Sequence, residues 1–148
     1  MKPLSNKDKK KIIKKLNIQF GITNIPYLIL QFGHDKFRLY SGNLSKEELA
    51  LLDRSIKIEN IGLYFAKQEK DGIKLTLDSL TLFKTQITKN IIELTENQKN
   101  SWLEGKDLDI KTNSGYKILK FNNEFIGCGK SDKTRICNSI PKERRIKF

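Results

Sequence analysis

This 148-residue chain has two cysteines, one histidine, one tryptophan and three prolines. Each scarcity excludes something. A structural zinc site draws four ligands from Cys and His. Cys128, Cys137 and His34 make only three candidates, with His34 remote from the other two in the chain. No metal or other cofactor is therefore expected. A disulfide is disfavoured in a reducing compartment, so both thiols read as small buried hydrophobes.

No apolar run approaches membrane-spanning length, and no signal-peptide core follows the basic opening "MKPLSNKDKKKIIKK". A cytoplasmic address with no membrane partner is the expectation. There is no Gly-rich dinucleotide or methyl-donor loop after a strand. "GCGK" at Gly127–Lys130 lacks the longer frame and the following Ser or Thr of a phosphate loop. The adjacent pair His34-Asp35 has no nucleophile to nominate beside it. No catalytic residue is predicted, and the chain reads as a non-enzyme.

Acidic residues are scarce as well: 17 oppose 29 lysines and arginines, for a net charge of +12. The excess is concentrated at the ends. Residues 1–15 hold seven lysines against Asp8, and residues 130–148 hold seven cations against Asp132 and Glu143. Terminal blocks of this kind point to a polyanion partner; the competing reading is two solvated ends.

Hydrophobic patterning supplies the elements. "SNKDKKKIIKKLNIQF" reads as a helix with Ser5 and Asp8 spaced like a capping box and Ile12, Ile13, Leu16 and Phe20 on one face. "YLILQFG" and "KFRLYSG" read as a hairpin, and "NLSKEELALLDR" as a second helix capped by Ser45 with Glu48. "IGLYFAKQ" and "GIKLTL" are joined by Lys70-Asp71-Gly72, a tight-turn signal. Further on, "ITKNIIEL" suggests a strand and "TENQKNSWLEG" a short helix, with Gly105 just past its end. Trp102 on that helix is expected in the core. "GYKILKF", the Asn122-Asn123 turn and "EFIGCGK" form another hairpin, and "TRICN" and "RRIKF" suit two short strands. Alternation in the last would place Ile146 and Phe148 inward and Arg145 outward.

The second half also resembles a PUA domain, the small RNA-binding pseudobarrel of pseudouridine synthases, archaeosine transglycosylases and ribosome-assembly proteins. The resemblance lies in "LEGKDLDI" (Leu103–Ile110), Gly115-Tyr116-Lys117-Ile118 and Phe125-Ile126-Gly127-Cys128-Gly129. The chain departs from the usual pattern in lacking Pro-Gly after the helix and in having Tyr116 where Asp is common. "QFGI", "ENIGLYFAK", "TKNIIEL", "SWLEGKDLD" and "IGCGK…ICNSIPKERR" extend the likeness over most of the chain. The whole is similar to archaeal two-domain pre-PUA/PUA ribosome-biogenesis proteins and to the C-terminal RNA-binding region of Sun-family rRNA cytosine-5 methyltransferases.

What the resemblance implies is an α+β fold: a pre-PUA-like α+β domain at 1–79, packed on a PUA-like β pseudobarrel at 80–148. It further implies RNA binding, to rRNA or tRNA, in ribosome biogenesis or rRNA modification. The alternative is an RNA-targeting subunit that works in trans with a methyltransferase or pseudouridine synthase. An RNA-modifying enzyme or a ribosome-assembly factor is then an expected partner. The RNA-binding residues expected are Gly105, Lys106, Gly129, Lys130, Lys133, Arg135, Lys142, Arg144 and Arg145. Glycines let an RNA backbone approach, and arginines grip phosphate with two donors. A competing reading has Gly105 merely capping a helix, Gly129 merely bending a strand, and the cations merely solvated. Asn138 and Pro141 are expected to shape a turn rather than touch a ligand.

Overall fold

Ser5 accepts a hydrogen bond from the Asp8 amide and so starts helix α1, Asn6–Phe20, the first long element of a computed structural model that describes Met1–Phe148. Ile12, Leu16 and Phe20 are buried on one side of α1, as their spacing requires, while its lysines other than the half-buried Lys9 are exposed. The side chains lie against a five-stranded antiparallel sheet. Its strands are β1 (Lys2–Pro3), β2 (Leu28–Phe32), β3 (Lys36–Tyr40), β4 (Leu63–Glu69) and β5 (Gly72–Leu75), in spatial order β1-β2-β3-β4-β5. Helix α2, Lys46–Ser55, follows β3 and carries the expected reciprocal cap between Ser45 and Glu48.

β5 is an edge strand, and the end of α1 covers it. The Gln19 side-chain amide accepts from the Ile73 N–H at 2.9 Å and donates to the Ile73 carbonyl at 3.1 Å. One side chain thus satisfies both main-chain groups of an edge residue. Lys117 is a buried cation in the second half, and its ammonium donates to Asn90 Oδ1 at 2.9 Å. Burial holds its pKa below the ordinary lysine range.

A short helix, α3 (Leu77–Leu82), leads into the second half, and the expected boundary at 79/80 falls inside it. Thr76 caps α3 by accepting from the Ser79 amide. The second sheet has four strands in the order β6 (Ile91–Glu93), β7 (Gly115–Phe121), β8 (Glu124–Ser131) and β9 (Ile136–Cys137). β6 runs parallel to β7, and helix α4, Glu96–Leu103, lies in the connection between them. Parallel neighbours need such a crossover. The β7–β8 hairpin turns at Asn122 and Asn123, with φ of 46° and 63°; positive φ at both central residues suits the right-handed twist of a tight hairpin.

The fold is α+β, with a small N-terminal α+β unit against a curled β half-barrel. One hydrophobic core runs through both sheets: Leu16, Phe20 and Phe65 from the first half meet Phe83, Ile118 and Cys128 from the second. A smaller cluster centres on Trp102, with Leu94, Leu108, Leu119 and Ile136.

Two expectations fail here. "RRIKF" is no strand: Pro141 is followed by a 3₁₀ turn at Lys142–Arg144, and the chain then runs on unpaired to any sheet. Ile146 is 46% exposed and Phe148 69% exposed, so neither supplies an apolar inner side. Alternation over five residues had no neighbouring strand edge to act on. Cys137 is exposed, whereas Cys128 is buried as expected.

Candidate nucleic-acid interface

The closing segment is held against the end of α4 by side-chain and main-chain bonds. Asn138 Nδ2 donates to the carbonyls of Trp102 at 2.8 Å and Lys106 at 2.9 Å, and its Oδ1 accepts from the Ile140 amide at 2.8 Å. Ser139 Oγ donates to the Cys128 carbonyl at 2.7 Å, and the Ile146 amide to the Leu103 carbonyl at 2.8 Å. Asn138 therefore spends its side chain on backbone, as the turn-forming reading requires. The result is a folded cationic surface around the end of α4.

Two glycines exist there to admit Trp102. A Cβ on Gly127 would lie 2.5 Å from Trp102 Nε1, and one on Gly129 would lie 2.8 Å from the same indole and 2.5 Å from Ile136. Gly129 is buried beneath these side chains. Gly105 has φ +93°, a left-handed conformation just past α4, and the Arg145 side chain packs where its Cβ would be. Arg145 Nε also donates to the Ile140 carbonyl at 3.1 Å, so this arginine is positioned over the glycine.

The other nominated cations differ in how they are engaged. Lys106 pairs with Glu104 at 3.3 Å and Arg135 with Asp107 at 3.6 Å. Lys130 turns toward Asp71 in the β4–β5 turn; that hydrogen bond raises the lysine pKa and lowers the aspartate pKa. Lys133, Lys142 and Arg144 have no carboxylate partner. Lys133 sits at φ +82° in a turn where Asp132 Oδ1 accepts from the Thr134 and Arg135 amides. The structure thus gathers Gly105, Lys106, Arg135, Arg144 and Arg145 near the end of α4 and directs Lys130 toward the first sheet. Of the N-terminal basic block, Lys9 donates to the Tyr27 carbonyl at 2.7 Å, and burial followed by the nearby Lys46 charge lowers its pKa. No three His, Cys, Asp or Glu side chains converge as metal ligands would.

Residues 89–146, which include this entire surface, match the family described as the methyltransferase RsmF PUA domain. This part of the chain is a PUA region. It is related to the C-terminal region of Sun-family methyltransferases. Three relatives bear the name ribosomal RNA small subunit methyltransferase F. That of Psychromonas ingrahamii is 29% identical over 132 residues, covering 84% of this chain and 26% of the relative. That of Vibrio campbellii is 30% identical over 95 residues, or 60% of this chain and 20% of the relative. That of Aeromonas salmonicida is 21% identical over 143 residues, so the likeness runs across 95% of this chain and 29% of that protein. The chain spans about a quarter of the length of these relatives.

The PUA region accounts for α4, β7, β8 and the closing segment, but not for a cleft between the two sheets. Arg144 lines that cleft together with Tyr64, Lys74 and Asp78 from the first half. Sequence reasoning missed these three. Their only signal was position in a strand pair and at a helix start, which does not reveal what lies opposite.

Proposed function

We propose that this chain is a non-enzymatic RNA-binding protein of rRNA modification or ribosome biogenesis, acting in the cytoplasm. Residues 80–148 are the RNA-binding unit and residues 1–79 its pre-PUA-like support. RNA phosphates lie against Lys133, Lys142, Arg144 and Arg145, with Lys106, Lys130 and Arg135 recruited by exchanging their carboxylate partners. Gly105 and Gly129 act indirectly, the first by seating Arg145 and the second by seating Trp102. The observation that carries this reading is the PUA match over residues 89–146, which coincides with the folded cationic end of the molecule. No helix is long and apolar enough to cross a membrane.

A second reading has the chain target a separate RNA-modifying enzyme in trans. It is favoured by one fact: the relatives named as methyltransferases are about three times the length of this chain, which matches only a part of them.

Titration with single-stranded rRNA fragments at several salt concentrations tests the first reading. Neutralising five phosphates gives a slope of log affinity on log salt of roughly −3.5, at about −0.7 per phosphate on single strands. Lys133→Ala with Lys142→Ala reduces that slope by about 1.4, with the melting temperature unchanged. Salt-insensitive binding, or none at micromolar protein, overturns the reading. Co-purification of a methyltransferase or synthase with the tagged chain distinguishes the second.

A further inference from the structure

We propose that the cleft between the two sheets holds one nucleotide with an amino-bearing base, its phosphate on Arg144 and Lys74 and its base amino group on Asp78 or Glu143. This rests on the RNA-binding reading above and gives it a base preference, which phosphate contacts alone cannot supply.

The cleft has a volume of about 420 Å³, within the size range of small-ligand sites. β4, β5 and the start of α3 form one wall; β8 and the closing segment form the other. Leu75, Leu77, Ile126 and Ile140 offer apolar surface to the faces of a ring. Two of the hydroxyls on the walls are already spent, Thr76 Oγ1 on the Tyr64 carbonyl at 2.9 Å and Ser139 Oγ on the Cys128 carbonyl at 2.7 Å; the Tyr64 hydroxyl has no partner. The two spent hydroxyls fix the walls rather than wait for a ligand.

The charges decide the ligand class. Five ionisable side chains of Lys, Arg, Asp and Glu line the cleft: Lys67, Lys74, Asp78, Glu143 and Arg144. Lys67 is occupied by Glu69 at 3.4 Å and Asp35 at 3.7 Å, both outside the lining. The other four have no ion-pair partner, which leaves two cations and two carboxylates uncompensated in one cleft. A simple anion would meet the carboxylates, and a simple cation would meet Lys74 and Arg144. A ligand with an acceptor-only end and an N–H donor end satisfies all four. A nucleotide is such a ligand: its phosphate accepts from the guanidinium fork, and the amino group of adenine, cytosine or guanine donates to a carboxylate. Uracil has no amino group, and its one free ring N–H lies between two carbonyl oxygens that would be turned toward the carboxylate. The buried Cys128 thiol at the cleft has a pKa pushed up to about 11 by burial, so it stays neutral and adds no charge to the site.

Trp102, the only tryptophan, lies against Gly127 on the cleft wall and provides a fluorescence signal. The full chain is titrated with 5′-AMP, 5′-UMP, oligo(A) and oligo(U). Oligo(A) is expected to bind about tenfold tighter than oligo(U), the effect of one hydrogen bond to a charged group. Asp78→Ala with Glu143→Ala should abolish this preference. Leu77→Trp, at a half-exposed position, should fill the mouth and bring oligo(A) down to the oligo(U) affinity at an unchanged melting temperature. Saturable 5′-AMP binding that Leu77→Trp blocks identifies a free nucleotide as sufficient; a preference seen only in oligomers assigns the site to an RNA strand. Equal binding of oligo(A) and oligo(U) to the wild-type chain overturns the proposal while leaving RNA binding intact. Failure of every RNA and nucleotide to bind overturns both.

Discussion

Gly127 and Gly129 flank Cys128 in β8, and the room they leave is taken by Trp102. Gly127→Ala places a methyl group against the indole, and overpacking of this kind costs about 2 kcal/mol. The loss is read as an earlier thermal transition. Phe148→Ala, by contrast, changes stability by under ~0.5 kcal/mol, because the ring is mostly exposed, with the Lys99 ammonium 5.8 Å from its centroid. The glycines were visible in the sequence as places where something comes close; which group comes close was not, because Trp102 reaches them only through the fold. The two cysteines show the same limit. Both read as buried, yet Cys137 is exposed. Alkylation of the native protein should label Cys137 and spare Cys128. The raised Cys128 pKa has a stability consequence. The unfolded chain releases that proton first, so the contribution is complete below the ordinary thiol range and is lost as pH rises toward about 11. Denaturant titrations of the wild type and Cys128→Ala across that window should converge as pH rises.

At the scale of elements, the capping signals were reliable because they are local. Ser45 with Glu48 and Thr95 with Gln98 form the reciprocal bonds that their spacing encodes, while Ser5 with Asp8 forms only the first of the two, from the Asp8 amide to the serine. Helix α3 escaped notice because it is a six-residue helix whose cap pairs Thr76 with Ser79, with no Glu or Gln at the third position. The closing segment misled for the opposite reason. Its alternation is real, but the segment follows Asn138 onto the end of α4 rather than joining a sheet. Asn138→Ala removes three hydrogen bonds to backbone and should cost about 2–3 kcal/mol. Hydrogen exchange at the Ile146 amide, whose partner is the Leu103 carbonyl, should accelerate more than exchange in β7. RNA affinity should fall with it, since Arg145 loses its seat.

The whole molecule could be read from sequence as two small units too short to stand comfortably apart. The structure supplies the reason they stay together: Tyr116, Ile118 and Cys128 of the second sheet lie in the same core as α1 and β4. The full chain should therefore melt in one cooperative transition, and residues 80–148 alone should lack a sharp transition by circular dichroism, because that surface would face water. What could not be read is the space between the sheets, since a cleft belongs to no single segment. The edge of the first sheet carries a different consequence. An edge strand offers its free main-chain groups to any passing chain, and sheets that leave them open tend to grow by accretion. Here the carboxamide of Gln19, itself a peptide group in miniature, occupies both groups of Ile73 and plays the part of the next strand's backbone. That edge is thereby finished by a side chain, and copies of a basic protein crowded along a polyanion would be kept from polymerising through it.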